Sequence, residues 1–472
     1  MFFTRRQLLR STAVGFGNLA LASMLAEKVA PGVTGASPPP TDPLAPRQPH
    51  FAPRAKRVIF LFMAGGPSHV DTFDHKPLLQ RDHGRPYPFA RPRVIFNATG
   101  SLLASPWRFQ RYGACGMPVS ELFPHVARCV DDICFIHSIH GTNAAHGGAT
   151  LKVHTGSENF IRPSIGSWIT YGLGTENANL PGFVTVCPTL AFGGVTNWGS
   201  AFLPAAHQGT PLGNAAVPAD QARVRYIQNA RLPSEVQRLQ LDQLAQMNRE
   251  HQGRAGMEAA LEGRINSFEL AFRMQRDMPE AENIASESPA TRRLYGLDDS
   301  VTANFGRQCL LARRFAERGV RFIQVTHSDA AVQWDQHANL RRDHEKNARE
   351  VDLPIAGLLH DLKSRGLLDD TLVWWGSEFG RTPTAENNDG RDHNPDGFTM
   401  WLAGGGVKPG FRHGATDDYG WHAAHDKVHI HDLHATILHL LGLDHERLTY
   451  RHAGRDFRLT DVHGEVVQAI LF

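Results

Sequence analysis

The chain has 472 residues, 41% of them hydrophobic and 20% charged, enough to bury one large core or two smaller ones. Against 49 Lys and Arg stand 47 Asp and Glu, a formal charge of +2, so no net basic field favours nucleic acid or an anionic membrane as partner. The five cysteines, Cys115, Cys129, Cys134, Cys187 and Cys309, lack C-x-x-C spacing and support neither a zinc ribbon nor a dense disulfide framework, leaving only a bridge between Cys129 and Cys134 open.

At the amino end, Thr4-Arg5-Arg6-Gln7-Leu8-Leu9-Arg10 sets an arginine pair just ahead of a moderately apolar stretch rich in Gly, Ala and Leu, Ala13 to Ala26. That pattern reads as a secretory leader of the twin-arginine type over residues 1–35, which places the mature protein in the periplasm or otherwise outside the cytoplasm. Residues 36–56 hold Pro38-Pro39-Pro40, Pro43, Pro46, Pro49 and Pro53, a composition expected to form an extended linker without a core. No later stretch is long and apolar enough to span a membrane.

At Val58-Ile59-Phe60-Leu61-Phe62-Met63 the pattern changes to a continuous apolar run, as expected of a strand buried on both faces. Similar runs recur at Asp132 to His137, Pro181 to Cys187, Val320 to Val325, Thr371 to Trp375 and Phe398 to Ala403. Helical patterns at Asn304 to Arg318 and Leu353 to Ser364 feed two of them, the second ending at Gly366. The alternation predicts an α/β domain over 57–472 with a mostly parallel central sheet flanked by helices. A polar, strand-free stretch at about 230–300 predicts a helical insertion whose Leu239, Leu241, Leu244 and Met247 form a packing face.

In such sheets ligands bind beyond the carboxyl ends of the strands, and those places are rich in imidazole and carboxylate. The chain has 26 His in all. After the first strand comes Gly65-Gly66-Pro67-Ser68-His69-Val70-Asp71-Thr72-Phe73-Asp74. The second strand region leads through His137, His140 and Thr142 to His146 and His154. Beyond Val325 stand His327 and then Asp335 and His337, two positions apart and so on one side of an extended chain. Ser377-Glu378-Phe379-Gly380-Arg381 follows the next strand, and Asp392-His393 precedes the last. Ionisable groups arriving at one rim from several strands point to a cation, because unpaired buried charge is costly. The late cluster from His429 to His434 precedes an apolar helix; Asp432 can serve as its cap, with a direct part in the site as the alternative for the cluster.

The order of these segments resembles the alkaline phosphatase superfamily, and most closely a family of bacterial sulfatase-like proteins, often twin-arginine exported, defined by a domain of unknown function. The matching wording is Gly-Gly-Pro-Ser-His-Val-Asp-Thr-Phe-Asp at 65–74, Trp-Asp-Gln-His at 334–337, Ser-Glu-Phe-Gly-Arg-Thr-Pro at 377–383 and the run from Asp432 to Leu448. The resemblance implies divalent cations, zinc or manganese ahead of calcium given mixed nitrogen and oxygen ligands. Its implied ligands are Asp71, Asp335, His337, Glu378, Asp392 and His393, with Ser68, His69, Arg381 and His434 supporting from behind.

The superfamily's usual nucleophile falls near His146, where no Ser, Thr or Cys stands, and no cysteine lies in the C-x-P/A-x-R context of a formylglycine sulfatase. Thr142 and Thr150 are nearby substitutes. Either His146 serves as ligand or nucleophile, or cation-activated water attacks directly, or the site binds without turnover. The expectation is therefore an exported metal-dependent hydrolase acting on an anionic phosphate or sulfate ester. The alternative is a non-catalytic module that binds metal or polyanion on the same scaffold.

Overall fold

The structure is a computed structural model that describes residues 42–90, 99–225, 227–229, 231–255, 259–330 and 332–472. The twin-arginine segment and the start of the Pro-rich stretch lie outside the described residues.

Strand β1 (Arg57–Met63) is buried along its whole length. Ile59, Leu61 and Met63 enter one hydrophobic cluster while Val58, Phe60 and Phe62 enter another, so the period-two alternation of a strand divides a continuous apolar run between two cores. The sheet continues with β2 (Ile133–His140), β3 (Phe183–Val186), β4 (Thr210–Leu212), β5 (Phe322–His327), β6 (Thr371–Gly376), β7 (Phe398–Ala403), β8 (Phe411–His413) and β9 (Val428–His429). The spatial order is β8-β2-β7-β6-β1-β5-β3-β4, with β9 also against β2. Every pairing among these is parallel except those of β7, which runs antiparallel to both β2 and β6.

Helices α1 (His146–Thr155), α2 (Ile165–Leu173), α3 (Ser234–Ala255), α4 (Ala259–Glu282), α5 (Ala303–Glu317), α6 (Leu340–Ser364) and α7 (Ile430–Leu440) accompany the sheet. The fold is thus α/β with a mostly parallel central sheet flanked by helices. No helix among the described residues is long and apolar enough to cross a membrane.

Four local expectations need correction. The Pro-rich stretch is not without a core, because Leu44 is buried and the Arg47 amide donates to the Leu173 carbonyl at 2.9 Å. Helix α6 begins at Leu340, well before Leu353, and carries Pro354 in its interior, where the ring removes one backbone donor without ending the helix. Leu239, Leu244 and Met247 do not pack but lie exposed. Polar contacts join α3 to α4 instead, including a two-pronged Arg238–Glu269 pair at 2.7 and 2.6 Å. The open cysteine bridge does not form, and Cys129 and Cys134 are both free thiols.

Register fixes where the chemistry emerges. Met63 lies opposite His327, and Phe62 opposite Gly376, so β1, β5 and β6 end level on one edge. Strand β2 runs parallel with them and ends there too. Because β7 is reversed, its start is at that same edge, with Phe398 opposite Ile139. Five chain segments consequently meet at one rim.

Candidate metal centre

Gly65 permits the closest approach at that rim. Its φ is +115°, and a Cβ there would lie 2.7 Å from the Trp334 amide nitrogen and 2.8 Å from that of Asp335. Only glycine tolerates both the backbone angle and the contact. The segment after β5 can therefore lie against the end of β1, anchored by Trp334, whose amide donates to the Ala64 carbonyl at 3.0 Å and whose indole donates to His327 Nδ1 at 2.9 Å.

Asp335 then sits among three imidazoles. Its Oδ1 is 2.9 Å from His337 Nε2 and 3.1 Å from His393 Nε2, and its Oδ2 is 3.2 Å from His146 Nε2. The opposite nitrogen of each ring is tied down. His146 Nδ1 meets Glu378 Oε1 at 2.6 Å, His393 Nδ1 meets the Ala144 carbonyl at 2.6 Å, and His337 Nδ1 meets Glu386 Oε2. Carbonyls and carboxylates only accept, so each Nδ1 carries a proton, which leaves Nε2 as the one atom whose lone pair each ring could turn to a cation. His337 Nε2 and His393 Nε2 stand 3.0 Å apart. Two inward lone pairs at that separation repel, whereas nitrogens sharing a cation through bonds of about 2.0–2.1 Å stand about 3.3 Å apart in tetrahedral geometry. The donor set fits a divalent ion.

Two overlapping groups of three can hold a metal: His146, Asp335 and His393, and His337, Asp392 and His393, their ligand atoms within 4.8 Å of one another in each group. Glu378 supports from behind, accepting from the Gly65 amide at 2.9 and 3.1 Å as well as from His146. Arg381, fully buried, donates to Asp335 Oδ1 at 2.6 Å.

Charge follows this geometry. Burial disfavours a charged Asp335, yet the three imidazoles and Arg381 hold its carboxyl far below the usual range. Glu378 is lowered in the same way, burial being outweighed by His146. Burial depresses His393 to about 4 despite Asp335. Burial also works to lower His146, but Asp335 and Glu378 outweigh it and the ring is raised. His337 is raised first by Asp335. Burial raises Asp392, and neighbouring Glu386 adds to the rise.

Several expected site residues stand elsewhere. Asp71 is not among the converging ligands: both its oxygens are taken by Arg391, at 2.6 and 3.1 Å, and Ser68 Oγ donates to it at 2.5 Å. His69 binds the Gly420 carbonyl at 2.8 Å, and His434 binds the Val153 carbonyl at 2.8 Å between core residues. Thr142 is exposed and its hydroxyl donates to Glu158, so it is committed away from the imidazoles. Glu386 escapes the sequence reading, because it lies in Ala385-Glu386-Asn387-Asn388-Asp389-Gly390, a composition that reads as a solvated turn.

A family model described as "protein of unknown function (DUF1501)" matches residues 55–471. The chain belongs to the DUF1501 family. No curated protein matches it. Among solved structures, this DUF1501 chain is similar to PsFucS1 sulfatase from Pseudoalteromonas sp., at 13% identity and a TM-score of 0.34, covering 85% of this chain and 69% of that one. It is also similar to the phosphonate monoester hydrolase SpPMH from Silicibacter pomeroyi, at 13% identity and a TM-score of 0.31, covering 68% of each chain. A third likeness is to a TAB5 alkaline phosphatase variant with Mg bound, at 12% identity and a TM-score of 0.34, covering 83% of this chain and 99% of that one.

The outer hydrogen bonds give a direct test. Glu386→Gln keeps the size of the side chain but no longer fixes His337 as the Nδ1–H tautomer. Metal affinity is expected to fall about 10–100-fold, read by competition with a chelator. Affinity equal to that of the unaltered protein would remove Glu386 from the centre.

Proposed function

We propose that this protein is an exported, metal-dependent hydrolase of phosphate or sulfate esters. The observation that carries the reading is the convergence of three Nε2 atoms on Asp335, each ring fixed from behind by an acceptor. His146, Asp335 and His393 would hold the ion, or His337, Asp392 and His393 would; the single Nε2 lone pair of His393 makes the two sets alternatives. A bound divalent ion supplies Lewis acidity and lowers the pKa of water.

The chain's own residues do the rest. Glu378 and Glu386 orient His146 and His337, and Arg381 offsets the charge of Asp335 from below. His146 occupies the first turn of α1, with Nδ1 committed to Glu378 and Nε2 turned towards Asp335, which favours a ligand role over that of a nucleophile. The arginine pair at Arg5 and Arg6 supports export by the twin-arginine route.

The test is reconstitution with zinc or manganese followed by assays on p-nitrophenyl phosphate, bis-p-nitrophenyl phosphate and p-nitrophenyl sulfate. Turnover of at least one ester, lost on chelation and restored by metal, is the expected result. Stoichiometric metal with no turnover of any ester would instead favour a binding module.

A further inference from the structure

The segment after β3 lays Phe192 against the first turn of α1 and leaves three of its apolar side chains exposed. Leu190 is 64% exposed, Phe192 42% and Val195 63%. The Phe192 ring lies 4.9 Å from the His146 ring, centroid to centroid, tilted by 30°. It also covers Gly147, where a Cβ would sit 3.9 Å from Phe192 Cδ1. Scattered exposed apolar residues need no explanation, but a phenyl ring held against a cluster of ionisable groups calls for one.

The backbone holds this ring in place against its own preference. Phe192 has a φ of +45° and is followed by Gly193 at +96° and Gly194 at +50°. A bulky side chain rarely adopts that left-handed conformation. Buried Asn197 fixes it, donating from Nδ2 to the Phe192 carbonyl at 3.1 Å, and a side chain at Gly193 would collide with Asn197. Shielding of His146 does not require Phe192, because buried Phe379 already lies 4.8 Å from the same imidazole. What Phe192 adds is an apolar face open to solvent at the edge of the centre.

We infer that Phe192 forms the subsite for an aromatic group carried directly on the anion that the centre takes, so that the substrate class is an aryl ester. The inference rests on the reading of the centre as a site for phosphate or sulfate esters. With the anionic end at the inward Nε2 atoms, a flat apolar group on the ester oxygen extends over His146 and stacks on Phe192. A polyol in the same place would lose water from its hydroxyls against a phenyl face that offers no hydrogen bond.

The test uses ligands that need no turnover. Zinc- or manganese-loaded protein is titrated with phenylphosphonate against methylphosphonate, and with benzenesulfonate against methanesulfonate. In at least one pair the aryl ligand should bind about tenfold more tightly. Phe192→Ser should abolish the preference and Phe192→Tyr should keep it, with Phe192→Leu as a second probe should the first variant not fold. Metal content is measured in each variant. Equal affinity within both pairs, no binding of any of the four, or a preference that survives Phe192→Ser overturns the subsite. An aryl preference without hydrolysis of any ester would support the subsite while removing the hydrolase.

Discussion

Asp335→Asn is expected to lower metal affinity by more than about a hundredfold and to remove metal-dependent turnover with it. Altering the residues behind a ligand costs about 10–100-fold, and Asp335 itself touches all three inward nitrogens. Asparagine keeps the shape and one acceptor oxygen but loses the charge that balances a divalent ion. The same change leaves Arg381 buried without its anion, so some loss of stability should accompany it. Metal titration of the folded variant separates the two effects. Unchanged stoichiometry and affinity would show that the cation binds elsewhere.

Much of this centre was legible because parallel strands deliver their chemistry at predictable places. His146, Asp335, His337 and Glu378 follow strands that end on one edge, and a buried strand such as β1 announces itself as a continuous apolar run. His393 precedes its strand, and it reaches the same edge only because β7 is reversed, which no run of residues within β7 reveals. Asp71 shows the limit of the rule. It stands after a strand among suitable neighbours, but an acid there can equally serve a buried ion pair, and its partner Arg391 is distant in sequence. Glu386 and Phe192 were illegible for a different reason. Each lies in a turn whose function depends on what the turn is folded against, and composition describes only the turn.

Arg381→Met is expected to be the most destabilising single change at the rim, about 3–5 kcal/mol. The guanidinium is fully buried and serves several segments at once. It donates to the carbonyls of Gly65 and, at 2.9 Å, Gly66 at the end of β1, to the Arg391 carbonyl at 3.1 Å, and to Asp335 at 2.6 Å. Methionine fills the volume but leaves those acceptors without a donor and Asp335 without its cation, and buried groups left unsatisfied are costly. Lysine should recover little, since one ammonium cannot reproduce a planar fork directed at separate acceptors. Urea denaturation with an unchanged m-value would read the loss as a shift in midpoint. A shift worth less than about 1 kcal/mol would mean that the segments at the rim hold one another without Arg381, and that the centre is assembled by its ligands instead.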